Sequence, residues 1–193
     1  MEAHPEKQPV GEDLQRLRRA VGELRVLNEL AIAVSATYDV SEIIQLIVTR
    51  VAAAVQADQV VLTLVDRNDM SPLRTLFRKA DGTQSHDFHL TRNLLGCLCH
   101  HKRPLLTNDA HNDPLLKGIP LDKEIRSLIC HPLMVGNRLI GCLSVVNTVA
   151  GGLFQDDDNR LVGIIASQSA QVLERARLLE DERTNLRLKA DLE

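Results

Sequence analysis

The sequence predicts an α+β domain, and three observations carry that expectation. Residues 125–147, IRSLICHPLMVGNRLIGCLSVVN, are two apolar runs joined by Gly136-Asn137. Both residues of that dipeptide tolerate positive φ, and the β-branched and aliphatic flanks suit a pleated, half-buried surface, so the stretch reads as a β-hairpin. Apolar residues then recur three and four apart near both ends of the chain, the period of long helices. Between these helices and the hairpin lie shorter strand-like runs separated by turn residues.

Residues 1–12 are polar, with Pro5, Pro9 and Gly11, and are expected to be disordered. Over residues 13–38, Leu14, Leu17, Val21, Leu24, Asn28 and Ala31 form the seam of a coiled coil, with Asn28 where a buried amide fixes parallel register. Asp39 with Glu42 resembles a capping box, so a second helix starts there and runs to about Gln56. Strands are expected over Gln59–Asp66, Leu73–Lys79 and around His86–Leu90, a short helix over Leu94–His101, and a short strand over Pro104–Thr107. Asn108 to Lys123 reads as a polar loop that serves a site more than packing.

After the hairpin, Gly151-Gly152 breaks the chain direction, and Asp156, Asp157 and Asp158 suit the positive end of a helix. That helix carries a stripe of Val162, Ile165, Ser169, Val172, Ala176, Leu179, Arg183, Leu186 and Ala190, longer than one domain can cover. A core at 39–160 and a closing signalling helix at 161–193 follow from this division. The final Leu192-Glu193 reads as a tag remnant, with the natural protein continuing.

At 193 residues the chain accommodates one domain with a sizeable core. Its 23 basic and 26 acidic residues are interspersed, and its aromatics are three Phe and one Tyr, so neither a phosphate backbone nor stacked bases have a platform. No run has the length of a membrane span and the N-terminus lacks a signal-peptide plan, which predicts a cytoplasmic protein with reduced cysteines.

The residues Ser127-Leu128-Ile129-Cys130-His131-Pro132-Leu133, Gly136 and Leu139-Ile140-Gly141-Cys142-Leu143 resemble the central hairpin of a GAF domain, a small-molecule sensor fold. Gly96, Pro104-Leu105-Leu106 and Asn108-Asp109 fall in that family's order, and the resemblance spans roughly Leu27 to Glu182. It implies a GAF-like (profilin-like) antiparallel sheet with the long N- and C-terminal helices on one face. On the other face it implies a ligand pocket roofed by residues from about Leu94 to Lys123.

On that resemblance the ligand contacts are expected from Phe77, Leu95, Cys97, Asn108, Asp109, His111 and His131. Asn147, Phe154 and Asp158 match the signature of cyclic-nucleotide-binding GAF domains, but Thr148 and Asn159 stand where its Lys and Glu would, so the ion pair between them cannot form. Asn147 and Phe154 are better read as a strand end and a core anchor. Cys130-His131 resembles the bilin-attaching pair of photosensory relatives, yet lies within a strand, where Cys130 reads as a small core hydrophobe. Neither bilin nor haem is expected, and the cofactor is unknown.

Cys97, Cys99, His100 and His101 cluster without a zinc spacing, and their simplest reading is buried thiols beside exposed or rim histidines. Asp109 and His111 either organise their turn or grip a polar ligand group. The chain is thus expected to be a non-catalytic regulatory domain, with a small-molecule ligand as partner. It is further expected to form a homodimer through the terminal helices and to act on a C-terminal output domain. Two alternatives stand beside it: a dimerisation module without a ligand, and an enzyme like the free methionine sulfoxide reductases of the family, which needs a resolving thiol within reach.

Overall fold

The computed structural model describes residues 39–65, the backbone of 72–79, and 103–190. The expectations for 1–38, for the His86–Leu90 strand and for the Leu94–His101 helix lie outside the described residues, as do those for Leu95, Cys97, Cys99, His100, His101 and the terminal Leu192-Glu193.

Helix α1 spans Val40–Val55 and buries Val40, Ile43, Ile44, Ile47, Val48, Val51 and Val55, one apolar stripe at helical spacing. So many β-branched residues are mediocre helix formers, so burial rather than propensity holds the segment helical. Asp39 caps it, its carboxylate accepting from the Ser41 amide at 2.7 Å. Gln56 ends it in the left-handed region at φ 48°.

The sheet has the order β2-β1-β5-β4-β3, every pairing antiparallel. Its strands are β1 (Gln59–Val65), β2 (Pro72–Lys79), β3 (Leu105–Thr107), β4 (Ile125–Val135) and β5 (Arg138–Thr148). The central hairpin is β4 and β5, as expected, with Val135 opposite Arg138. Of its two turn residues only Gly136 takes positive φ, at 59°. Glycine at the first central position alone is the arrangement of a type II′ turn, and Asn137 needs no left-handed conformation.

Period-two alternation sends the strands' side chains into two cores. Val60, Leu62, Leu64, Ile129, Leu133, Leu143 and Val145 meet α1 and the closing helix α2, Asp156–Ala190, joined out of phase by Ile140, the extra residue of a bulge in β5. Val61, Val65, Leu128, Cys130, Cys142 and Val146 line the other face. Helix α1 lies over β1 and β2, and α2 over β4 and β5, with the two helices in mutual contact. Each fully buried Ile or Leu contributes on the order of 1.5–3 kcal/mol.

Helix α2 has 35 residues, about 52 Å at 1.5 Å per residue. Asp156, Asp157 and Asp158 occupy its first turn, and Asp158 accepts from the Gln155 amide at 2.8 Å. The stripe expected to be an interchain seam divides in two. Val162, Ile165, Ser169 and Ala176 are buried inside the domain, whereas every residue from Glu180 to Ala190 is exposed. A repeat of three and four is shared by helix-on-sheet packing and coiled coils, so the pattern alone does not say which partner covers it. Among the described residues no helix is long and apolar enough to cross a membrane.

Asn147 stitches the end of β5 to both its flanks. Its side chain accepts from the Asp58 amide at 2.8 Å and donates to the Gly152 carbonyl at 2.9 Å. The Asp58 carboxylate returns the connection, accepting from the Thr148 amide and hydroxyl at 2.8 and 2.7 Å. Asn147→Ala is expected to lower stability by about 2 kcal/mol, since it leaves backbone groups without partners, and urea unfolding would measure it.

Candidate functional site

The face of the sheet away from the helices is the candidate site. Its described cover comes from residues 108–123, which fold down onto it. Ala110 and Leu116 are buried in the same apolar cluster as Val61, Leu105, Ile125 and Leu128, with Ile119 and Leu121 packed against it. Asp113 caps a single 3₁₀ turn over Pro114–Leu116, accepting from the Leu115 amide at 2.8 Å, and the Ala110 amide donates to the Arg126 carbonyl at 3.0 Å. The segment expected to be a polar loop therefore packs as well, because three of its leucines and isoleucines turn inward.

Small polar side chains interrupt this apolar face. Thr63 alternates with Val61 and Val65, and Ser144 alternates with Cys142 and Val146, so both belong to it. In register, Thr63 stands opposite Cys142 and Cys130 opposite Ser144. The Ser144 hydroxyl lies 2.9 Å from the Cys130 sulfur and 3.7 Å from that of Cys142. All four side chains are almost wholly buried. The hydrogen bond with Cys130, together with burial, pushes the Cys142 thiol well above its usual range, so it stays protonated. These four residues were absent from the expected contacts. Alternation within LICHP and GCLSV carries the signal, since Cys130, Cys142 and Ser144 share one face.

Asn108 does not present its amide as a free recognition group. It clamps the approach to α2, donating to the Phe154 carbonyl and accepting from the Phe154 amide, each at 2.9 Å. Asp109 and His111 are exposed, and the Asp109 carboxylate accepts from the Asn112 amide group at 3.0 and 2.9 Å, which organises the turn. Phe77 opposes Val61 in register. Leu95 and Cys97 lie outside the described residues.

His131 is a correction. It alternates with Ile129 and Leu133, which face the helices, so it stands on the covered side of the sheet and not with Cys130. Its Nε2 lies 2.8 Å from Oδ1 of Asn159 in α2. An amide oxygen only accepts, so the imidazole donates from Nε2. A Cβ on Gly163 would come within 2.7 Å of the ring, so that glycine is the notch into which His131 fits. Burial lowers the His131 pKa from its ordinary 6.5, with the Asn159 hydrogen bonds opposing the shift.

The residues of the cyclic-nucleotide signature each have a structural task. Asn147 holds the strand end, buried Phe154 is a core anchor, Asp158 caps α2, Thr148 bonds Asp58 and Asn159 bonds His131.

Residues 37–174 match the GAF domain family. Among solved structures, the GAF domain of a phosphoenolpyruvate-protein phosphotransferase from Coxiella burnetii is similar at 19% identity, covering 84% of this chain and 98% of that one, with a TM-score of 0.63. A free methionine-R-sulfoxide reductase from Neisseria meningitidis, in complex with its substrate, is similar at 18% identity over 93% of this chain and 99% of that one, TM-score 0.63. The GAF domain of the cyanobacteriochrome TePixJ is similar at 18% identity over 75% and 95%, TM-score 0.59. At these identities the likeness is one of fold.

Gly163→Ala is expected to destabilise by about 1–2 kcal/mol despite the better helix propensity of alanine, because the methyl group collides with the imidazole. In a His131→Ala background the same change becomes neutral or stabilising. A double-mutant cycle in urea reads that reversal directly.

Proposed function

Because this chain belongs to the GAF domain family, we propose that it is a non-catalytic sensory and regulatory domain that binds a small molecule on the sheet face away from α1 and α2. The observation that carries this reading is the buried group of Thr63, Cys130, Cys142 and Ser144 set among aliphatic residues. Ligand sites combine an apolar lining with a few converging polar groups, and two hydroxyls and two thiols gathered on one aliphatic face fit that composition. Phe77, Leu95 and Cys97 are assigned to the same site, and Asp109 and His111 to its rim. His131 is withdrawn from it.

Binding would act on α2 through the hairpin. Cys130 and His131 are neighbours in β4, one on the ligand face and one against the helix, so a shift of the strand reaches both. The exposed stretch from Glu180 to Ala190, with Leu186 60% exposed, is proposed as the homodimer seam that passes the change to an output domain. A thiol reductase is the weaker reading. Cys142 is held protonated, and a protonated thiol is a poor nucleophile.

A thermal-shift screen against a broad metabolite panel tests the sensing role. A ligand at a hundred times its Kd should raise Tm by about 5–10 °C, and Ser144→Ala should remove at least half of that rise. No shift with any compound would leave the face a packing surface. Light scattering at micromolar concentration should give a dimer, with Leu186→Glu giving a monomer.

A further inference from the structure

We propose that His131 is a proton-sensitive latch between the hairpin and the closing helix, so that acidification loosens the N-terminal third of α2 from the sheet. This goes beyond the proposed sensing role and holds whether or not the opposite face takes a ligand.

The argument starts from position. His131 stands in the middle of β4, its ring seated against Gly163 and its Nε2 donating to Asn159, one helical turn earlier on α2. The neutral ring satisfies this site with a single donor. A protonated ring carries a second N–H on Nδ1, which faces the Gly163 notch, where a methyl group would lie 3.2 Å away. Glycine supplies no side-chain acceptor, and the side chain and backbone of Asn159, which favour the charged ring, do not outweigh the cost of burying it.

Among the described residues none places a compensating charge beside the imidazolium. On β5, Leu143 is the residue opposite His131. On α2, Asp158 is turned back to the Gln155 amide, while Asp156 is exposed and Asp157 and Arg160 face each other at the surface. The Arg138–Glu174 ion pair belongs to the turn end of the hairpin, eleven residues further along α2 than Gly163, about 16 Å away. Strand β3 carries no ionisable residue, and α1 packs on β1 and β2 instead. The positive end of the α2 dipole opposes a cation here as well.

The sign follows. Burial lowers the folded-state pKa below the unfolded 6.5, so the docked arrangement binds fewer protons. Its advantage is complete above pH 6.5 and declines as pH falls through the lowered value. Hydrogen exchange of the full chain, corrected for intrinsic rates, should therefore show amides of residues 156–170 exchanging about three- to tenfold faster at pH 5.5 than at pH 7.5. In His131→Gln, which retains a donor for Asn159, the difference should vanish. In Asn159→Ala the transition should move to lower pH, since a bond favouring the charged form is lost. Persistence of the acceleration in His131→Gln overturns the latch. So does an NMR titration of the wild type placing His131 at or above 6.5, a measurement that stands even if the variants fold poorly. Both outcomes are independent of the metabolite screen.

Discussion

The alternation of β4 and β5 is the constraint on which the rest of this fold depends. Each residue of the hairpin is committed to one of two hydrophobic cores, and a shift of one position would send Cys130 and Cys142 toward the helices and Ile129, Leu133 and Leu143 away from them. The register is pinned at both ends. Gly136 sets the two-residue turn, while at the other end Asn147 and Asp58 tie the strand to the start of β1 and to the loop before α2. Gly141 lets β1 and β5 approach closely, since a side chain there would be driven into the Thr63 carbonyl.

Sequence reading recovers the parts whose physics is local. The helix over Val40–Val55 announces itself through its stripe and its Asp39 cap, the hairpin through Gly136-Asn137 between two apolar runs, and α2 through three aspartates at its start. The strand–loop–strand order around Pro104 and Pro132 is legible through resemblance more than through propensity. The three residues of β3 have too little pattern to stand alone.

What is less legible depends on which face meets which layer. One bulge adds Arg126 to β4 and the other adds Ile140 to β5, so the parity of each strand changes along its length and counting from one end misplaces side chains. From sequence His131 reads as standing on the strand face opposite Cys130 and, by the family resemblance, in the pocket wall; the first holds and the second does not, because that face is the one α2 covers. Its actual neighbours, Asn159 and Gly163, lie 28 and 32 positions away in the chain, and only the packing of α2 brings them there. Asn108 is a similar case. In sequence it looks like a recognition amide in a polar loop, yet both its hydrogen-bonding ends are spent on the backbone of Phe154. The stripe on α2 shows the converse limit, since one period serves the domain core as far as Ala176 and runs into solvent beyond it.

These placements bear on how a sheet of this kind can pass a signal. The two cores share a backbone but no side chains, so a perturbation on one face reaches the other through the strands or through the Asn108 clamp on the approach to α2. In β4 the transfer distance is a single residue, from Cys130 to His131. On the far side the imidazole meets a helix at a glycine, where there is no side chain to absorb a displacement and the ring touches main chain. A push there moves α2 as a body or breaks the Asn159 bond. From Gly163 the helix runs about 40 Å on to Ala190, past an ion pair, Arg138–Glu174, that fastens it to the turn of the same hairpin. The hairpin therefore holds α2 at two points, one neutral and sensitive to protonation, the other charged, and a change that loosens only the first would swing the helix about the second.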